Sequence, residues 1–368
     1  MAIPTDVRRA LDSVRRGVRA DGLWRPGQLV LLACSGGVDS MAAWALLAEL
    51  RPSLGHRLAV AWVDHGMRDD RAEVAAALAA CAERTGVPYT ALVAPIVPTA
   101  PDQEANARAA RYQSLRRCAA QLGADVIATA HHADDVAETV LMRVARGAGV
   151  GAQAAIPRRN REIVRPLLDL CRRDTEAVVA ALQLPYVEDA SNSDPRHERN
   201  RWRHEVLPVM ERVRPGAATG LQRSARHAAS AGRALNHWLE AAITPHLRPL
   251  TDGAADGSSV GLLLPRALWP DDPDALGALL HVLARRLDLP APQARGVHQV
   301  GAWLRSGGRG AEVRVHGMRL WSRPDGLAVA STKVAPMASD TYLGEVRPVT
   351  QADGAEVHGG GDRTRSAG

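Results

Sequence analysis

The chain has 368 residues, 46% of them hydrophobic, which allows two domains with full cores, and its formal net charge of +6 leans toward an anionic partner. Cys34, Cys81, Cys118 and Cys171 are widely spaced with no CxxC pair, which excludes a zinc ribbon and a disulfide framework and fits a reducing cytosol. Lys333 is the only lysine and phenylalanine is absent, so no lysine before position 333 can form a Schiff base or touch a γ-phosphate.

The first 20 residues are basic, lack the apolar core of a secretory leader, and space their leucines and valines as an amphipathic helix does. Residues 27–34 read as a buried strand and 39–50 as the helix after it. A strand at 57–65 leads to an alanine-rich helix ending at Arg84, and 87–95 is a third strand. Residues 103–122 read as a helix, 125–132 as a fourth strand, and 133–145 as the helix it feeds. Such alternation predicts an α/β fold with a doubly wound parallel sheet, whose ligands bind beyond the carboxyl ends of the strands. No apolar run approaches the roughly 20 residues that span a bilayer, so a soluble, cytoplasmic protein with no membrane partner is expected.

Further on come a glycine-rich loop at 146–157, a helix at 171–183, and a polar stretch at 188–208 that turns helical. The turn Val213–Gly216 marks the expected boundary between a first domain, 1–214, and a smaller second domain, 215–334, mostly helical or α+β. Within the latter, a helix at 217–243, a loop at 251–259, a helix at 274–288 and strand-like alternation at 311–330 are expected. Residues 335–368 have little to bury and read as a disordered tail.

The informative stretch is Ser35-Gly-Gly-Val-Asp-Ser40, at the end of the first strand. A strand ending in Ser-Gly-Gly and feeding a helix presents free backbone N–H groups and a helix N-terminus, which together bind phosphate. Gly36 and Gly37 let the main chain of the loop, Val38 included, approach phosphate oxygens, and Ser35 and Ser40 can add hydroxyl donors. Asp39 would repel phosphates unless a cation lay between, and Mg²⁺, bound by carboxylate and phosphate oxygens, is the natural mediator. The GxxxxGK[ST] lysine is missing. A main-chain grip on pyrophosphate suits attack at the α-phosphorus of ATP, giving an adenylated intermediate. A plain glycine turn with a capping serine is the alternative for a bare Ser-Gly-Gly.

Other clusters fall at strand ends. Asp135 and Glu138 share a helix face and could hold an ammonium group and deprotonate it, or simply occupy an acid-rich first turn beside Asp134. His131 and His132 are adjacent and point apart, so loop structure or nucleotide contact is favoured over zinc. Arg108 and Arg111 share a helix face and could contact phosphate or a base. His65, Gly66 and Arg68 lie beyond the second strand, where the nucleotide would sit. Arg199, Arg201 and Arg203 surround Trp202 in a segment suited to phosphate binding and base stacking. For Arg201 an ordinary helix surface is the preferred reading.

The string SGGVDS resembles the pyrophosphate loop of the N-type ATP pyrophosphatases. With VDHGMR (63–68), ARAARY (107–112), AHHADDVAET (130–139), RPLL (165–168) and EDASNSDPRHERNRWR (188–203), in that order, residues 25–210 resemble the tRNA(Ile)-lysidine synthetase family. That resemblance implies an adenylating catalytic domain at 1–214, a tRNA-contacting second domain, and ATP and Mg²⁺ as cofactors. It implies L-lysine and an isoleucine tRNA with a CAU anticodon as partners; assembly as a homodimer stays open. It casts Asp39, Asp135, Glu138, Arg108 and Arg111 as catalytic. Ser35, Gly36, Gly37, Val38, Asp39, Ser40, His65 and Arg68 would bind nucleotide, with Asp39 toward the metal. His132, Asp135, Glu138, Arg199 and Arg203 would meet lysine or tRNA. The rivals are a tRNA thiolase, which would need reactive or cluster-binding cysteines, a small-molecule synthetase with no tRNA surface, and a non-catalytic RNA-binding module.

Overall fold

Leu29–Ala33 forms β1, whose Val30, Leu31 and Leu32 are all fully buried because helices cover both faces of its sheet. Side chains alternate along the strand: Val30 and Leu32 enter one core, while Leu31 joins a second with Ala61, Leu92 and Ile127. Burying each such leucine stabilises the fold by about 2 kcal/mol. The computed structural model describes residues 3–64, 70–93, 103–147, 153–188, 194, 196–250, 261–290, 292–308 and 312–332. The tail at 335–368, the loop at 251–259, His65, Gly66 and Arg68 lie outside the described residues.

The sheet continues with β2 (Arg57–Asp64), β3 (Tyr89–Val93), β4 (Val126–Ala128), β5 (Arg159–Asn160) and β6 (Ile163–Val164), in the order β3-β2-β1-β4-β6-β5. All pairings are parallel except the β5–β6 hairpin. The helices are α1 (Thr5–Ala20), α2 (Val38–Leu54), α3 (Arg71–Thr85), α4 (Gln103–Leu122), α5 (Ala133–Ala145) and α6 (Arg172–Ala181). α1, α2, α3 and α6 contribute to the larger core, and α4 packs Leu115, Cys118 and Ala119 into the other. The chain leaves β1 for β2 and β3 on one side, then returns to place β4 on the other. The strand order therefore reverses at β1 and β4, the switch point where ligands of such sheets bind.

β4 is shorter than the predicted strand at 125–132. Thr129 N–H still bonds Val164 O at 3.0 Å, but by Ala133 the backbone N–H has turned to Leu170 O at 2.7 Å. Thr129–His132 is thus a loop at the switch point.

The chain divides into two compact units between Ala228 and Ala229, inside the helix Ala217–Ile243, rather than at the Val213–Gly216 turn. The helix starts where predicted, but its first turns pack on the first unit. Ala225 lies with Val136, Val140 and Leu168, Ala218 with Ala137 and Leu207, and Gln222 donates to Leu168 O. The second unit carries a five-stranded antiparallel sheet of Arg248–Leu250, Gly261–Leu264, Gly326–Ser331, Met318–Arg323 and Val313–Val315, in spatial order. Helices Pro273–Arg286 and Ala294–Arg305 share its core through Leu280, Leu283, Val300 and Leu304. Asp272 caps the first, accepting from Ala275 N at 2.8 Å, with Pro273 at the position that needs no donor. Among the described residues no helix is long and apolar enough to cross a membrane.

Candidate active site

The glycine turn joins β1 to α2. Cys34 N–H closes the strand on Ala61 O at 2.9 Å. Gly36 has φ +84°, and a Cβ there would stand 2.8 Å from Val74 Cγ1, so conformation and space both require glycine. Its carbonyl accepts from Val187 N at 3.0 Å, pinning the turn. Gly37 opens α2 in an extended conformation and offers no side-chain cap, so the first-turn N–H groups lack that usual partner. Ser35 is exposed. Ser40 is buried, donates to Gly37 O at 2.8 Å and accepts from Ser35 N at 3.2 Å, so its hydroxyl braces the loop from within. The Val38 side chain belongs to the core.

Asp39, in the first turn of α2, is held from α6. Thr175 Oγ1 donates to Asp39 Oδ1 and Arg172 Nη1 to Asp39 Oδ2, each at 2.6 Å. Arg172 N–H meets Asp134 Oδ2, also at 2.6 Å. His132 stands between the carboxylates: Nε2 lies 3.6 Å from Asp39 Oδ2 and 3.6 Å from Asp135 Oδ2, and Nδ1 lies 3.3 Å from Asp134 Oδ2. Burial opposes its charge, but Asp135, Asp134 and Asp39 outweigh burial and raise its pKa to about 10. Burial likewise works against ionised Asp39, Asp134 and Asp135, yet His132 with the neighbouring donors keeps all three below the ordinary carboxylate range.

His131 behaves in the opposite way. Burial, with Arg165, Arg108 and Arg199, lowers it to about 4 against the pull of Asp135, and its Nδ1 lies 2.8 Å from Thr129 Oγ1. Neighbours in the chain, the two histidines are neutral and charged at pH 7.

The acidic pair is enclosed by arginines. Glu138 is fully buried and Asp135 nearly so. Arg199 Nε donates to Glu138 Oε2 at 2.6 Å and its Nη2 to Asp135 Oδ1 at 2.7 Å. Arg203 Nε donates to Glu138 Oε1 at 2.6 Å, with Nη2 3.3 Å from Asp135 Oδ1. The arginines come from a helical stretch whose middle, Trp202–Val206, is π-helical, a local form frequent at functional sites. Arg201 faces outward to Glu205 at 3.4 Å.

Arg108 and Arg111 are exposed on α4. The Arg108 guanidinium lies 5.2 Å from the Tyr112 ring centre, and its charge helps lower His131. The structure therefore brings together Asp39, His132, Asp135, Glu138, Arg199 and Arg203. Sequence reasoning missed Arg172 and Thr175, whose three-residue spacing on one helix face was the available signal. It also missed Arg165 as a buried cation: its Nη1 bonds Pro157 O at 2.6 Å and its Nε has no partner. Among the described residues no group of three or more His, Cys, Asp and Glu could hold a metal by itself.

A family model described as a PP-loop domain matches residues 9–210. A tRNA(Ile)-lysidine synthase of Salinispora arenicola is 38% identical over 86% of this chain and 95% of its own length. Another, from Thermobifida fusca, is 39% identical over 65% of this chain and 73% of its own. Among solved structures, the U34-tRNA thiolase NcsA from Methanococcus maripaludis shares the fold: TM-score 0.52, 20% identity, 61% of this chain and 80% of that one. With a PP-loop model matching residues 9–210 and a relative 38% identical over 95% of its own length, the chain belongs to the tRNA(Ile)-lysidine synthase family of PP-loop proteins.

Proposed function

We propose that the chain uses ATP to join L-lysine to C2 of the wobble cytidine in an isoleucine tRNA with a CAU anticodon, making lysidine. The cytidine O2 attacks the α-phosphorus and pyrophosphate leaves. The ε-amine of lysine, having lost a proton, then attacks C2, and O2 departs with AMP. The observation that carries this reading is the pairing, at one switch point, of an uncapped helix N-terminus with the buried carboxylates Asp135 and Glu138.

Ser35–Ser40 grips pyrophosphate through the backbone N–H groups of its turn. Asp39 is held ionised with its side chain 22% exposed, which fits a magnesium ion taking one carboxylate and drawing its other ligands from phosphate and water. Bound there, the ion would neutralise charge on the phosphates. Asp135 and Glu138 hold the lysine ammonium, replacing part of their contact with Arg199 and Arg203, and one of them accepts its proton. His132 keeps the carboxylates around it ionised. Arg108 and Arg111, on an exposed face of α4, meet the tRNA or nucleotide phosphates, while His65 and Arg68 bind the nucleotide. The second unit contacts the tRNA. The reaction takes place in the cytoplasm, where tRNA, ATP and free lysine meet.

The thiolase reading is the weaker one. Burial pushes the thiols of Cys34 and Cys171 up to about 11 and Cys81 to about 12, so none is a ready thiolate. The test is incorporation of labelled L-lysine into transcripts of the isoleucine tRNA and its methionine counterpart, both with CAU anticodons. Labelling of the isoleucine tRNA alone, dependent on ATP and Mg²⁺, is expected. No labelling of either by folded protein refutes the function.

A further inference from the structure

With Lys333 as the only lysine, the positive charge that a phosphate-loop lysine brings to the leaving phosphates must come from elsewhere. Two cations reach Asp39, and they differ in access. His132 is 2% exposed and enclosed by three carboxylates, so no anion can reach it without opening the core. Arg172 is 37% exposed. Its guanidinium has five N–H donors; Nη1 is spent on Asp39 and Nε on Glu176 at 2.8 Å. The group it touches, Asp39, is the second residue of α2, whose uncapped first turn would receive the pyrophosphate. The head of Arg172 therefore lies one side chain away from that turn, open to solvent.

We propose that Arg172 is a pyrophosphate-binding residue: its guanidinium passes from Asp39 to the β- and γ-phosphate oxygens of ATP and stays with pyrophosphate as it leaves. This rests on the reading that Ser35–Ser40 holds the phosphates. The transfer does not strand the carboxylate. Thr175 still donates to Asp39 Oδ1, His132 still faces it, and Oδ2 is released for the cation that accompanies the phosphates. Backbone contact with Asp134 anchors the base of Arg172 while its head moves. An arginine suits the task because its planar fork can bind two phosphate oxygens at once.

The experiment is calorimetric binding of ATP, inorganic pyrophosphate and AMP to the full chain, without tRNA, for wild type, Arg172→Ala, Arg172→Lys and Thr175→Val. Losing a charge-assisted contact predicts roughly 10- to 100-fold weaker binding of ATP and pyrophosphate to Arg172→Ala, with AMP unchanged. Arg172→Lys, which retains the charge, recovers part of the loss. Thr175→Val, which loosens Asp39 but keeps the arginine, gives the smaller effect. The proposal is overturned if Arg172→Ala weakens AMP as much as ATP, if it changes nothing, or if Thr175→Val reproduces its pattern, since Arg172 would then act only through Asp39. A melting temperature for each variant separates these outcomes from unfolding, and Arg172→Lys carries the test if the alanine variant does not fold. Wild-type protein that binds ATP but transfers no lysine would remove the lysidine reading and leave this one standing.

Discussion

Glu138→Gln removes one charge and almost no volume, so it isolates what the ion network is worth. Glu138 is fully buried and receives Nε of both Arg199 and Arg203 at 2.6 Å. Breaking a fully buried pair by neutralising one partner costs roughly 3–5 kcal/mol. Two facts lower that figure here. The arginine side chains are 37% and 27% exposed, so water screens the cations left behind, and Asp135 Oδ1 remains beside both. About 2 kcal/mol of destabilisation is therefore expected. At roughly 2–4 °C per kcal/mol for a unit of this size, the melting temperature should fall by about 4–8 °C. Differential scanning calorimetry reads this directly. In lysine-transfer assays the same variant should raise the lysine KM more than tenfold, an order-of-magnitude figure for losing one charged contact to an ammonium. An unchanged or higher melting temperature would refute the reasoning about the network. An unchanged lysine KM would refute the placement of the ammonium at this carboxylate.

Gly36→Ala forces a side chain into φ +84° and to within 2.8 Å of Val74 Cγ1, so a loss of about 1–3 kcal/mol in urea denaturation and loss of ATP binding are expected. The histidines give opposite pH signatures. His132 is raised to about 10, so its stabilising contribution is full below pH 6.5 and disappears as pH rises through about 10; His132→Gln should flatten the stability curve over that window. His131 is lowered to about 4, so its contribution is present above pH 6.5 and is lost as pH falls toward 4, and His131→Gln should reduce acid sensitivity there in pH-dependent denaturation. Thiol titration of native protein at pH 8 should find Cys34, Cys81 and Cys118 unreactive until the chain unfolds, with Cys171, the least buried, reacting first.

Local pattern was enough for long elements. The helices at 103–122 and 217–243 begin and end where side-chain periodicity puts them, because many turns share one repeat. The β5–β6 hairpin, with strands of two residues each, is too short to show any period. Strands Arg248–Leu250 and Gly261–Leu264 and helix Ala294–Arg305 were likewise not foreseen. Within the site, the glycine turn was legible because strand, turn and helix are contiguous. Thr175 and Arg172 were not, since they meet Asp39 across 136 and 133 positions of chain and only the sheet order brings them there. The arginines at 199 and 203 were grouped with the acids at 135 and 138 as substrate contacts, but not as their direct ion-pair partners. Folding sets them against each other because a buried carboxylate needs a cation.

The ion network at the strand ends has a consequence for capture. The carboxylates of Asp39, Asp134, Asp135 and Glu138 face an equal number of cations, His132, Arg172, Arg199 and Arg203. Such a set has no net charge, and its field fades within a few ångströms of the surface. A small ion would then be found by contact, at a rate that hardly changes with salt. A tRNA instead meets the long-range excess of +6 spread over the chain, and its encounter should slow as added salt shortens the reach of that field. The protein would thus gather tRNA and the lysine cation by different physics: the large polyanion from a distance, and the small cation only once it has arrived.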